Sequence, residues 1–316
     1  MAAAPLGIAG AKELRYAHVG AEGDIQTWYA DEAAKGIDQA TKGDVKIKVF
    51  PASQLGGVAE MVDGVRMGSI SMGHHDFASL ARFVPEVAVF NAPFIYRDGA
   101  HALRATDPNA SPALKEINER LVKEGNVRII GRIYRGARHI SSKFPVKAPA
   151  DLKGKPFRAV PLELWVSMVK GFGAIPTPVE VAELPTALMS GLVVGQENPL
   201  TMINANKLYE VQSHVSLTGH MQSILAVFVN EDVWKSLSED NRKAISAVLD
   251  QKAKESLEKA IASEGDLIRE LKSKGMTFIT PETGLDMAAF KTSVMAQVKK
   301  DFPAWDSYIQ KIEAVQ

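Results

Sequence analysis

Cysteine is absent from the chain. That excludes disulfides, thiolate metal sites and cysteine nucleophiles, and it leaves the compartment open. Charge of one sign is missing as well: Lys plus Arg equals Asp plus Glu at 37 each, so no global basic field gathers nucleic acid or anionic lipid. No uninterrupted apolar run approaches the roughly 20 residues that a membrane helix needs. The zinc-protease, nucleophile-elbow, Walker and Gly-x-Gly-x-x-Gly signatures are all lacking, as are internal repeats, low-complexity tracts and long linkers. The one close His/Asp group is His74-His75-Asp76. Neighbours on a strand face opposite ways, so its two imidazoles are poorly placed to chelate one ion. Neither a metal nor a cofactor is expected.

What remains is an ordinary soluble composition, 46% hydrophobic and 23% charged, in 316 residues, long enough for two domains. Residues 1–11 are small, uncharged and apolar, and Ala9-Gly-Ala11 has the small-x-small form of a signal-peptidase site. They read as the remnant of a signal peptide behind an introduced Met, or as a plain tail, with mature sequence from near Lys12.

Short strands alternate with amphipathic helices, which predicts an α/β architecture with mostly parallel sheets. Asp24 is placed to cap a helix over 25–40, Val45, Ile47 and Val49 alternate as a half-buried strand, and Gly68 closes a helix that begins near Val58. Ser111-Pro112 opens another helix, followed by a buried strand over 127–133. Further on, helices are expected over 162–170, 182–190 and 200–207, and strands over 192–196 and 224–230. A helical pattern from about 239 to 272 places Ile245, Leu249, Ala253, Leu257, Ile261 and Leu271 on one face. It reads as one helix serving two bodies, with a break near 263–265 as the alternative.

Two segments carry candidate chemistry. Arg158 ends the run Asp151-Leu-Lys-Gly-Lys-Pro-Phe-Arg158, and its planar fork suits a carboxylate held by two parallel hydrogen bonds, although most arginines are surface ion-pair residues. In Gly191-Leu-Val-Val-Gly-Gln-Glu-Asn-Pro199, Asn198 brings a donor and an acceptor onto a turn fixed by Pro199. Together with Thr41–Gly56 (ending Pro-Ala-Ser-Gln-Leu-Gly), Glu60–Gly68, Pro85–Phe94 and Gly136–Val146, these segments stand in the order and spacing of a known family. The chain resembles the solute-binding proteins (DctP type) of tripartite ATP-independent periplasmic (TRAP) transporters over nearly its whole length.

The resemblance implies a two-lobed periplasmic-binding-protein-like fold, a ligand cleft between the lobes and a long helix spanning both. Residues 12–135 plus 224–263 would form one lobe and 136–223 plus 264–316 the other, with crossings near Arg135 and Gln222. Arg158 matches the family's carboxylate clamp, and Arg138, favoured over Arg132 and Arg135, its second arginine. The family commonly reads Arg-Val-Pro where this chain has Arg158-Ala-Val-Pro161, which leaves the strand exit open. From the opposite lobe, His75 and Asp76 are expected on a loop at the cleft, with Asp76 equally suited to capping the helix after it. His18 and Glu22 are further cleft candidates, and Trp165 is either core or an apolar wall. The expected function is capture of a small organic acid by hinge closure and delivery to a TRAP membrane permease, in the periplasm, as a monomer. The rival readings are a lyase or hydrolase using Asp76 or Glu163 with a histidine, and a ligand sensor for a membrane receptor.

Overall fold

A computed structural model describes residues 11–316, so the proposed leader remnant lies, Ala11 apart, outside the described residues. The chain starts as β1 (Lys12–Ala17), α1 (Ile25–Ala40), β2 (Val45–Phe50), α2 (Val58–Met67) and β3 (Met72–Asp76). After two 3₁₀ turns come α3 (Gly99–Ala105), α4 (Pro112–Gly125) and the long β4 (Val127–Ser142). A smaller unit follows, with β5 (Pro156–Ala159), α5 (Glu163–Gly171), β6 (Ile175–Pro178), α6 (Leu184–Ser190), β7 (Gly195–Pro199) and α7 (Leu200–Ala205). The rest is β8 (His214–Asn230), α8 (Glu231–Lys235), α9 (Glu239–Ser273), β9 (Thr277–Ile279), α10 (Met287–Asp301) and α11 (Asp306–Glu313).

The main sheet has the order β2-β1-β3-β8-β4-β7, with β9 beside β8, while β5 and β6 form a small parallel pair. It is mixed, which corrects the expectation of mostly parallel strands: β8 runs antiparallel to both β3 and β4, and β7 antiparallel to β4. The periodicity missed this because β4 and β8 are far longer than the 127–133 and 224–230 segments read as strands. Their outer halves carry polar residues that the sheet buries, such as Arg138, Ser141, Ser216 and His220. The strand expected over 192–196 begins later, at Gly195, and so takes in Asn198, which stands in the ladder opposite His139 and not on a turn.

Local signals were reliable where caps were present. Asp24 accepts from the Gln26 N–H at the start of α1, Ser111 from the Leu114 N–H at the start of α4, and Gly68 ends α2 in the left-handed region. Asp76, by contrast, closes β3 and makes no capping hydrogen bond to the 3₁₀ turn over Phe77–Leu80.

Three register shifts shape β4. One falls between Tyr134 and Ala137, where Gly136 adopts φ +99°, a conformation costly for any residue with a Cβ. α9 is unbroken over 35 residues. Its first two thirds bury Ile245, Leu249, Ala253 and Ala260 in the main core, and Leu271 enters a second core with Leu184, Leu188, Ile203 and Val215. Between them Ile261, expected on the buried stripe, is 64% exposed. The helix passes there from the first core to the second.

Ser256, fully buried on α9, accepts the Tyr134 backbone N–H at 3.0 Å, just before the β4 bulge takes that strand out of register. Ser256→Ala leaves this N–H without its partner and should cost about 1–3 kcal/mol. Urea unfolding should show a lower midpoint with an unchanged slope.

Candidate functional site

The ends of β3, β5 and β7, the β4 bulge and the loop after β1 converge on a partly open cavity of about 30 Å³, within a cleft whose space, solvent included, is about 450 Å³. Three arginines line it. Arg158 is 2% exposed and donates through Nε to the Val179 carbonyl at 2.8 Å. Among the described residues no carboxylate forms an ion pair with it. Burial lowers its pKa to about 10, so it stays cationic at neutral pH, a buried charge without a counterion. Arg135 has a long contact, 3.7 Å, to Asp24, and its buried Nε lacks a partner. Arg138 differs: its Nε and Nη2 hold both oxygens of Glu197 at 2.5 and 2.7 Å.

Facing the arginines are His75 and Asp76, both buried, with His75 Nδ1 and Asp76 Oδ1 unpartnered. Burial lowers the His75 pKa to about 4, against the pull of Asp76, so the imidazole is neutral. Asn198 Nδ2 donates to Gln196 Oε1 at 2.6 Å. Gln196 in turn reaches Ser141 and Ser141 reaches Gln212, a relay that fixes the Asn198 side chain. The arrangement is a polar chamber lined by buried side chains, with Arg158 outside any ion pair and with His75 Nδ1, Asp76 Oδ1 and Arg135 Nε unsatisfied. It suits a small anion carrying hydroxyl groups.

A family model described as bacterial extracellular solute-binding protein, family 7, matches residues 16–303. The chain belongs to that family. It is 31% identical to the 2,3-diketo-L-gulonate-binding periplasmic protein of Escherichia coli, over 97% of this chain and 93% of that one. It superposes with TM-score 0.87 on a TRAP periplasmic solute-binding protein from Roseobacter denitrificans with bound L-galactonate, at 26% identity over 96% and 99% of the two chains. A TRAP periplasmic solute-binding protein from a Polaromonas species, bound to D-erythronate, gives TM-score 0.87 at 28% identity over 96% and 99%. The protein is therefore a two-lobed periplasmic binding protein of the TRAP type and not an enzyme, and its family works with TRAP permease components.

Five of the eight cleft candidates singled out from the sequence, Arg158, Arg138, Asn198, His75 and Asp76, line the cavity of this solute-binding protein. His75 and Asp76 do so from the end of β3 and not from a loop. His18 and Trp165 do not line it. The His18 ring stacks on His74 at 4.6 Å and its Nδ1 accepts the Gly20 N–H, so it supports the loop whose Val19 and Gly20 do face the cavity. Trp165 is fully buried and donates from Nε1 to Glu197 at 2.8 Å. Glu22 is exposed, and Glu163 borders neighbouring cavities instead.

Arg135 and Glu197 were missed. Arg135 and Arg138 are three apart, which on a regular strand sends them to opposite faces. The bulge at 134–137 brings both to the cavity. Gly136 inside an arginine-rich strand was the available signal. Glu197 also takes the His220 Nε2 contact at 3.0 Å, so it serves Arg138, Trp165 and His220 at once. Burial alone would raise its pKa, but Arg138 prevails and holds it at about 2.

Glu197→Gln strands Arg138 in the interior and should cost about 3–5 kcal/mol at pH 7. A folded pKa below the unfolded value means this contribution is complete above about pH 4.5 and fades as pH falls towards about 2. Denaturant titrations of parent and variant across that window should converge at the acid end.

Proposed function

We propose that this solute-binding protein captures a polyhydroxy monocarboxylate of the sugar-acid class and delivers it, as a monomer, to a TRAP permease. The observation that carries the reading is Arg158, a buried guanidinium with no acidic partner in a chamber whose other two arginines are balanced, Arg138 by Glu197 and Arg135 by Asp24. A ligand carboxylate completes it with two parallel hydrogen bonds, at a guanidinium buried enough to weaken solvent screening of the pair. Asp76 Oδ1 is an acceptor and His75 Nδ1 a donor or acceptor according to tautomer; both await partners that ligand hydroxyls can supply. The relatives named for diketogulonate, galactonate and erythronate point the same way. The cavity is completed within one chain, which supports the monomer.

Capture works by hinge closure between lobes 12–135 plus 224–263 and 136–223 plus 264–316. The crossing points, Arg135 and Gln222, coincide with the β4 register shift against β8, and α9 is the third connection. A buried arginine without its anion penalises closure, so ligand and closed state stabilise each other.

Arg158→Lys keeps the charge but not the fork, and with Arg158→Ala it should lose about 2–5 kcal/mol of affinity for the best acid in a carboxylate panel. Calorimetric titration of the folded variants checks this, and parent-like binding by Arg158→Lys would remove the clamp. Asp76→Ala should cost about 1–3 kcal/mol for a hydroxy acid and much less for its deoxy counterpart. Equal losses on the two ligands would show that Asp76 does not read hydroxyls.

A further inference from the structure

Glu180 follows β6 at the edge of the ligand cavity, and it also borders a second, larger space of about 1000 Å³. Val58, the first residue of α2, borders both as well. The N-cap of α2 is Gly57, which has no side chain to offer the unpaired N–H groups of the first turn. The Glu180 carboxylate lies against that position, and its attraction to the Val58 backbone N–H favours the ionised form. The approach is close, since a Cβ on Gly57 would lie 3.1 Å from both Cδ and Oε1 of Glu180. An anion there also meets the positive end of the helix. Burial, with the neighbouring Glu60 and Glu183, raises the Glu180 pKa above the ordinary carboxylate value, against the pull of Arg158 on β5.

α2 packs on β3 and Glu180 follows β6, which the lobe division above assigns to opposite lobes. A helix cap that is supplied from the other lobe exists only when the lobes meet. We propose that Glu180 is a positioning residue that latches the closed form, capping α2 across the cleft and thereby setting how long a bound acid is retained. The inference rests on the hinge closure of the proposed function and extends it to one residue. Because the contact forms after the ligand has entered, its loss acts on release more than on capture. Its position between the two spaces makes the same side chain part of the wall that separates the ligand from the larger space.

The test uses the full chain and stopped-flow kinetics with L-galactonate, or with the panel acid that the parent holds best. Glu180→Ala should speed release by at least about tenfold and leave the association rate within about threefold. Unchanged release would overturn the latch. Gly57→Ser in the Glu180→Ala background gives α2 a cap of its own, so thermal stability should recover while release stays fast. Slow release in that double variant would reduce the effect to local fraying of α2 and also overturn the proposal. If no acid of the panel binds the parent, the proposed ligand class falls by itself. The latch then stands or falls on hydrogen exchange of the Val58 amide, expected to be at least about tenfold faster in Glu180→Ala.

Discussion

One buried carboxylate fastens the second half of the molecule. Glu197 on β7 binds Arg138 on β4 through both oxygens, Trp165 on α5 through its indole N–H, and His220 on β8. Each partner comes from a different element, and each is buried. Every lone-pair direction that burial would leave wanting is answered by a donor, which is the condition under which an interior ion pair is tolerated. Arg138 is further held over the Trp165 ring, with Cζ 5.4 Å from its centre. The result is a rigid corner beside the cavity that uses its charges internally.

Against that neutralised corner, Arg158 is conspicuous by its solitude. Of the four buried arginines among the described residues, Arg132, Arg135 and Arg138 each reach a carboxylate, whereas Arg158 donates only to a backbone carbonyl. The histidines nearby are kept out of the electrostatics. Burial holds His18 and His75 near pKa 4, and His74, hydrogen-bonded to Tyr16 and Gln26, lower than usual as well. The field at the site is thus set by guanidinium and carboxylate groups, whose charges do not change across the physiological range.

Much of this was readable from the chain. Caps and stops located α1, α2 and α4 because those signals are local. Arg158, Asn198, His75 and Asp76 were found through short segments whose order resembles a family. What escaped depends on distant partners. The outer halves of β4 and β8 are too polar to look buried, and only their pairing with each other and with β7 makes them so. Arg135 was set aside because Arg138 fits the family spacing, and the bulge that brings both to the cavity depends on pairing with β8. Ile261 was assigned to a buried stripe because a helical wheel cannot reveal where a helix passes between two bodies.

β8 joins the middle of the sheet, pairing Met72 of β3 with Val229 and Val127 of β4 with Asn230. The sheet therefore cannot close until most of the chain is available, and loop-closure entropy weighs against every earlier attempt. Such a topology folds late. In a periplasmic protein, a central strand drawn from residues 214–230 leaves the sheet without its middle until that stretch of chain has been made.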